Sequence, residues 1–319
     1  RRAAIVVRTV DELRAALVAV AEGRPHAQVQ VGSARAQADA PVFVFSGQGG
    51  QWSAMGRALL AEEPVFAAVV ERCAAAFAAL GEVEVMAALR GEAALERGDV
   101  VQPAQFAVCL GLVAVWQALG VEPAAVIGHS LGEVAAAVTA GALSVEAGAR
   151  IVLERARRLL ACDGGVAAIE LGVEEVERRI ARYDGALAVA VVNGPGSVAV
   201  AGPDALLTAW VQAMTAEGLR CRRLPVDYGA HSRHVEPAVA GLGAALAELV
   251  ATSAALPMYS TVTGALVDGE ALDARYWCRN VREPVRLDRA VAAAFAEGRR
   301  VFIEVGPHPL LTGAIAATV

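Results

Sequence analysis

The chain has 319 residues, a net charge of −6 and a hydrophobic fraction of 56% that its alanines inflate, which suits two domains or one large domain carrying an insertion. The acidic balance argues against general affinity for nucleic acid or for an anionic membrane surface. No apolar run reaches the ~18 residues of a membrane span, and Arg1-Arg2-Ala3-Ala4 has neither the apolar core nor the cleavage site of a secretory signal.

There is no initiator Met, so a piece cut from a longer chain is expected. There is also no lysine, which with the alanine excess reads as genome composition rather than mechanism. Cys73, Cys109, Cys162, Cys221 and Cys278 are scattered singly, with no C-x-x-C. Neither a disulfide framework nor a metal site is expected, and a reducing cytoplasm is the expected setting.

Residues 1–40 read as a strand (3–7), a helix (10–21) and a polar, alanine-rich stretch, together a linker or flank. The first strong strand is 41–45, followed by the glycine-rich turn Ser46-Gly47-Gln48-Gly49-Gly50. That turn lacks the spacing of either nucleotide motif; a tight strand-to-helix corner is as good a reading. Helical patterns cover 64–80 and 103–119.

The stretch 124–141 organises the rest. A short apolar run of buried-strand length leads into Gly128-His129-Ser130-Leu131-Gly132, and an almost wholly apolar helical segment follows. A G-x-S-x-G between strand and helix is a nucleophile elbow, which lifts one serine out of the backbone at a helix N-terminus. Ser130 is therefore the expected covalent nucleophile. After it, Ser144 can cap a helix running to about 160. One stripe of that helix is Gly148, Ile151, Val152, Arg155 and Leu159. Arg155 falls inside an apolar face, where a guanidinium is costly unless an anion meets it.

From 165 to 226 the order is strand, helix, strand, strand, helix, strand, which is the ferredoxin-like β-α-β-β-α-β. Patterning of the larger kind then resumes: helix 235–250, strand 258–261, helix 284–296, strand 300–305 and a last helix after Pro309. The expected fold is therefore α/β. Residues 41–164 and 227–319 form a large subdomain, and 165–226 an inserted ferredoxin-like one.

A serine nucleophile needs a base and donors for the oxyanion. His26 lies in the flank, His129 adjoins the serine on a turn that points it away, and His308 sits in a Gly-Pro-His-Pro corner. His231 and His234 remain, in chain order Ser then His, and these residues alone leave the choice between them open. The oxyanion donors expected are the backbone N–H groups of Leu131, next to the nucleophile, and of the earlier turn with Gln48. Arg155 could hold a substrate carboxylate; a structural ion pair is the other reading.

Together these residues resemble the acyltransferase domain of a modular type I polyketide synthase and, more distantly, malonyl-CoA:acyl carrier protein transacylases. The resemblance runs from about Pro41 to the C-terminus. It is carried by Gly47-Gln-Gly-Gly-Gln-Trp52, Gly128-His-Ser-Leu-Gly-Glu133, Arg155, Val192-Asn-Gly-Pro-Gly-Ser197, His231-Ser-Arg-His-Val-Glu236, Arg282-Glu-Pro-Val-Arg286 and Glu304-Val-Gly-Pro-His-Pro309. Any one is weak; all seven in this order are highly specific. Residues 1–40 are similar to the end of the linker that precedes this domain.

The resemblance implies an α/β-hydrolase-like core with a ferredoxin-like insertion, and a ping-pong reaction. Ser130 attacks the thioester of an extender-unit CoA with His231 as base, CoA leaves, and the acyl group passes to the phosphopantetheine thiol of an acyl carrier protein. No bound cofactor is implied; acyl-CoA and phosphopantetheine are substrates. A neighbouring ketosynthase in the same chain is an implied partner, with no nucleic acid and no membrane. Arg155 would hold the malonyl carboxylate, and Gln48 and Leu131 match the oxyanion hole. A backbone carbonyl orients the histidine at the position matched by Asn280. Asn193 matches a polar residue near the site. Selectivity falls on Leu131 and on Tyr228-Gly229-Ala230 ahead of His231. These depart from the Tyr-Ala-Ser-His of methylmalonyl-selective and the His-Ala-Phe-His of malonyl-selective relatives. Arg97-Gly-Asp-Val-Val-Gln102 leans towards the methylmalonyl group. The small residues at 229 and 230 suggest a 2-alkylmalonyl donor, methyl or larger, with loose selection.

A malonyl-selective transferase is one alternative. Another is a thioesterase or esterase on the same elbow, with Asp163 as base in a patatin-like variant. A third is a carrier-protein docking module without chemistry.

Overall fold

The computed structural model describes residues 2–33, 40–81 and 83–319. The chain divides into two compact units, 1–39 and 40–319. In the first, β1 (Arg2–Ile5) pairs antiparallel with β2 (Val29–Gly32) beside a helix, Val10–Ala21. That helix begins at a capping box: Thr9 accepts from the Glu12 N–H, and the Glu12 carboxylate returns to the Thr9 N–H. The sequence pattern finds the helix but reads β2 as flank, because a four-residue, mostly exposed strand offers too little alternation. The remainder of the expected linker, 34–39, lies outside the described residues.

The second unit carries β3 (Val42–Phe45), β4 (Ala125–Gly128), β5 (Gly165–Ile169), β6 (Ala188–Gly194), β7 (Ser197–Gly202), β8 (Cys221–Arg223), β9 (Met258–Ser260), β10 (Ala265–Val267), β11 (Val285–Arg286) and β12 (Phe302–Val305). They form two sheets. The larger has the order β10-β9-β4-β3-β12, parallel except for the β10 edge. Parallel strands covered on both faces should be apolar throughout, and β3 is: Phe43 and Phe45 join one core with helices 64–78, 98–118 and 145–159, while Val42 and Val44 pack on the other face with Leu287, Val291 and Ile315. The smaller sheet has the order β11-β6-β7-β5-β8. Four of these strands run antiparallel in the expected ferredoxin-like arrangement, over a core containing Leu207 and Trp210.

Several boundaries differ from expectation for local reasons. The helix Gly98–Ala118 starts before Pro103, which sits inside it. By length and composition this helix could cross a membrane, yet it is the central core helix of the large subdomain, 72% of its most apolar window being buried. The helix Ala274–Arg282, capped by Asp273, is not apparent as a helix because its arginines mask the buried set Tyr276, Trp277, Asn280 and Val281. The expected helix 284–296 divides. Pro284 disfavours the helical region for the residue before it, and Glu283 is extended (φ −85°, ψ 153°). The chain therefore leaves one helix, adds β11 to the small sheet parallel to β6, and re-enters a helix only at Leu287. The small sheet is thus completed by a strand from the C-terminal part, outside the 165–226 insertion.

Candidate active site

The elbow forms as the G-x-S-x-G requires. A Cβ on Gly128 would stand 2.1 Å from the Cα of Glu133, and one on Gly132 would stand 2.2 Å from the carbonyl oxygen of Phe45. Both contacts are with backbone, so β4, β3 and the following helix (Gly132–Thr139) close up only around glycine. Between them Ser130 is held at φ +54°, a left-handed conformation that costs a non-glycine residue roughly 1–2 kcal/mol.

His231 is also left-handed, at φ +55°, and meets the serine: Ser130 Oγ to His231 Nε2 is 2.7 Å. The other ring nitrogen, Nδ1, lies 3.0 Å from the carbonyl oxygen of Glu283. A carbonyl can only accept, so Nδ1 carries the hydrogen and Nε2 presents a lone pair to the serine hydroxyl. Burial, then the charge of Arg155, push the His231 pKa down to about 3, so the ring is neutral near pH 7. A neutral imidazole is the form that can take the serine's proton.

The geometry resolves the choice between the histidines. His234 Nε2 donates to the Ala186 carbonyl at 2.9 Å, away from the serine. His129 turns from Ser130 to Asn193, its Nε2 2.9 Å from Asn193 Oδ1, and burial takes its pKa down to about 4. Asn193 therefore reaches the site through His129. The Asp163 carbonyl accepts from the Gly229 N–H, and its side chain lines a different cleft with Asp204, Asp227 and His234.

The Asn280 expectation is met in part, because the backbone carbonyls of Glu283 and Asn280 both act on the His231 ring. The carbonyl that receives the His231 proton at hydrogen-bond distance is that of Glu283, with Asn280's own carbonyl a secondary influence. The cause is Pro284, which ends the helix and swings the Glu283 carbonyl out of the helical ladder. The Asn280 side chain serves instead to accept from Arg155 Nη1 at 3.1 Å and to donate to the Ser130 carbonyl at 3.2 Å.

Arg155 lies on the helix Val145–Leu159, whose N-terminus Ser144 caps through the Ala147 N–H at 3.1 Å. It is 4% exposed. Its Nη2 is 3.4 Å from Ser130 Oγ, so the three expected groups share one site. Among the described residues Arg155 forms no ion pair and its Nε has no partner. Burial lowers its pKa, with Tyr228 and Glu133 opposing.

The glycine-rich turn runs alongside the elbow. A Cβ on Gly47 would lie 2.9 Å from the His129 carbonyl oxygen and 3.6 Å from Ser130 Cβ. Gln105, buried in the long helix, donates to the carbonyls of Ser46 and Gly47 and pins this turn. Among the described residues, the N–H groups of Gln48 and Leu131 donate to no other group. Gln102 donates to the Tyr228 hydroxyl at 3.3 Å, and that hydroxyl donates to Gln48 Oε1 at 3.2 Å. Gln105 was missed in the sequence and Gln102 was read only as the end of a motif, although two polar residues three apart inside an apolar helix are the signal that marks them.

Of the selectivity candidates, Leu131 is packed into the large core and Tyr228 is 8% exposed. Ala230 is half-buried. Gly229 differs from expectation: the three atoms nearest an added Cβ all belong to His234, the first at 2.9 Å. Its missing methyl group makes room for His234, not for a group on the substrate. The cavity beside the elbow, about 220 Å³, lies between the subdomains and is lined by Gln48, His129, Asn193, Arg222, Leu224 and Leu310.

Comparison with known proteins gives the family of the chain. The family model described as "Acyl transferase domain" matches residues 42–319. Polyketide synthase GfsB of Streptomyces halstedii is 43% identical over 315 residues, which are 97% of this chain and 6% of that protein. The chain spans a small part of the length of its curated relatives, 4% of polyketide synthase GfsA of Streptomyces halstedii and 17% of the spectinabilin synthase protein NorA of Streptomyces orinoci, for example. The crystal structure of the acyltransferase domain from module 8 of the salinomycin polyketide synthase superposes with a TM-score of 0.93 at 41% identity, covering 98% of this chain and 75% of that one. The acyl transferase domain of SpnD, solved in complex with 2-(pent-4-yn-1-yl)malonyl, gives a TM-score of 0.81 at 29% identity, covering 88% of this chain and 68% of that one.

Proposed function

This chain belongs to the acyl transferase domain family of the polyketide synthases, and from that membership we propose that it moves a 2-alkylmalonyl extender unit from CoA to the phosphopantetheine thiol of an acyl carrier protein. It works as one domain of a longer cytoplasmic synthase, beside a ketosynthase. His231 Nε2 takes the proton as Ser130 Oγ attacks the thioester carbonyl. The N–H groups of Gln48 and Leu131 receive the negative oxygen of the tetrahedral intermediate, a contribution worth roughly 3–4 kcal/mol per donor in comparable sites. Collapse expels CoA thiolate, which takes the proton from His231 Nε2–H, and leaves acyl-Ser130. The carrier thiol then repeats the sequence in reverse, His231 accepting its proton and returning it to Ser130 as the thioester forms.

The observation that supports a malonyl-type donor is Arg155: a buried guanidinium without a carboxylate partner among the described residues, 3.4 Å from the nucleophile. An esterase would gain nothing from that charge, whereas a donor carboxylate would repay its burial. The case for a 2-alkyl group rests on the half-buried Ala230 and on Tyr228, whose hydroxyl is hydrogen-bonded to Gln102 and Gln48. The relative SpnD, which holds a 2-(pent-4-yn-1-yl)malonyl group, supports room for a substituent on this fold. Gly229, turned to His234, adds nothing to it.

Intact mass after incubation with competing malonyl-, methylmalonyl- and longer alkylmalonyl-CoA tests both parts. The expected result is an alkylmalonyl adduct on Ser130, absent in Ser130→Ala. A clear malonyl preference defeats the alkyl reading, and steady release of free acid without transfer defeats the transferase reading. Arg155→Ala should lower kcat/KM for carboxylated donors about 10- to 100-fold, the worth of one charge-assisted hydrogen bond, and favour neutral donors relatively.

A further inference from the structure

Resting on that reading, we infer that Glu133 is a positioning residue, acting through the Asn280 amide to keep Arg155 oriented but unpaired in front of Ser130. Glu133 follows the second elbow glycine and has no exposed surface. Its Oε2 accepts from the Tyr276 hydroxyl at 2.6 Å and from Asn280 Nδ2 at 3.0 Å. Its Oε1 accepts from the Thr261 N–H and, at 2.7 Å, from the Thr261 hydroxyl. The backbone N–H of Thr261 and the NH₂ of Asn280 can only donate, and each finds its acceptor in a Glu133 oxygen. This determines which way the Asn280 amide faces. With its nitrogen turned to Glu133 and the Ser130 carbonyl, its oxygen is left to accept from Arg155 Nη1 at 3.1 Å.

A buried carboxylate and a buried guanidinium would ordinarily pair directly, since each offsets the other's desolvation. Here a neutral amide stands between them. Direct pairing would occupy the fork of N–H donors that a substrate carboxylate needs. Separation by one amide lets Glu133 act on Arg155 across a weakly screening interior while Nη2 still faces Ser130 Oγ. Burial raises the Glu133 pKa and its four hydrogen bonds oppose that rise.

The test uses matched donors, methylmalonyl-CoA against propionyl-CoA and malonyl-CoA against acetyl-CoA, which differ by the carboxylate that Arg155 would hold. The readout is the ratio of kcat/KM within each pair for wild type, E133Q, N280D and the E133Q/N280D double variant, with KM and kcat resolved. N280D places a carboxylate against Arg155 and should lower the ratio about 10- to 100-fold, through KM for the carboxylated donor, with neutral donors changing far less. E133Q should lower it in the same sense by a smaller factor. The double variant keeps the net charge but moves the carboxylate beside Arg155, and its ratio should stay low. A folded E133Q with the wild-type ratio overturns the inference, as does a double variant that recovers that ratio. Should E133Q not fold, an unchanged ratio in N280D overturns it alone. If wild type forms no adduct with any carboxylated donor, the proposed function fails; if it does and the ratios ignore these substitutions, this inference fails by itself.

Discussion

Ser130 and His231 each occupy a left-handed backbone conformation, and each strained residue places its side chain against the other. The expense is local and the return is a 2.7 Å contact between segments 101 residues apart. The same burial that makes His231 a neutral base determines the pH behaviour. Its folded pKa lies near 3 and that of His129 near 4, both below the ordinary 6.5. As pH falls through 6.5 the unfolded chain gains these protons and the native state does not, so their contribution to stability is complete above 6.5 and declines towards pH 3. Urea midpoints should therefore fall on acidification below 6.5, and by less in His129→Gln. The acid limb of kcat/KM, which reports the free enzyme, should lie well below 6.5, and binding a donor carboxylate at Arg155 should move it upward in kcat by offsetting the positive charge beside His231.

Elements matter here through their ends. The nucleophile sits where β4 stops, Arg155 depends on a helix begun by Ser144, and the Glu283 carbonyl is released where Pro284 stops another helix. The costs of disturbing these ends differ in kind. Ser144→Ala removes one cap bond at an exposed position and should cost about 1 kcal/mol, lowering the melting temperature a few degrees while transfer activity persists. Gly132→Ala drives a methyl group into the Phe45 carbonyl. It should cost about 3 kcal/mol or more and abolish acyl-Ser130 formation in intact mass, because the elbow must open to admit it. Thermal melts and adduct mass on the two variants check both. The elbow, the cap and the β-α-β-β-α-β order were legible because each depends on neighbours within a few residues. The helix 274–282 and strand β11 were not, since charged residues and a two-residue length hide their buried faces until a partner is present.

At the scale of the molecule, the two sheets are joined by more than the chain crossings at 165 and 226. β11, from the C-terminal part, extends the small sheet beside β6, two residues after the carbonyl that holds His231. Val285 on that strand is 3% exposed. Val285→Asp should destabilise the protein by roughly 3 kcal/mol, and kcat measured well below the melting temperature should fall too, because the Glu283 carbonyl loses its anchored neighbour. Destabilisation with unaltered kcat would show that β11 is only a structural tie. From residue types and spacing alone, the chain announced an α/β core with an inserted ferredoxin-like layer, a serine on an elbow and an arginine out of place on an apolar face. The family resemblance pointed to His231; the tertiary structure set that ring rather than His234 against Ser130, put the Glu283 carbonyl at hydrogen-bond distance from it, turned Gly229 towards His234 and, among the described residues, left Arg155 without a carboxylate partner. Periodicity, glycine contacts and caps are short-range and therefore written in local sequence. Partners 101 and 125 residues apart depend on how whole layers pack, which no local pattern encodes.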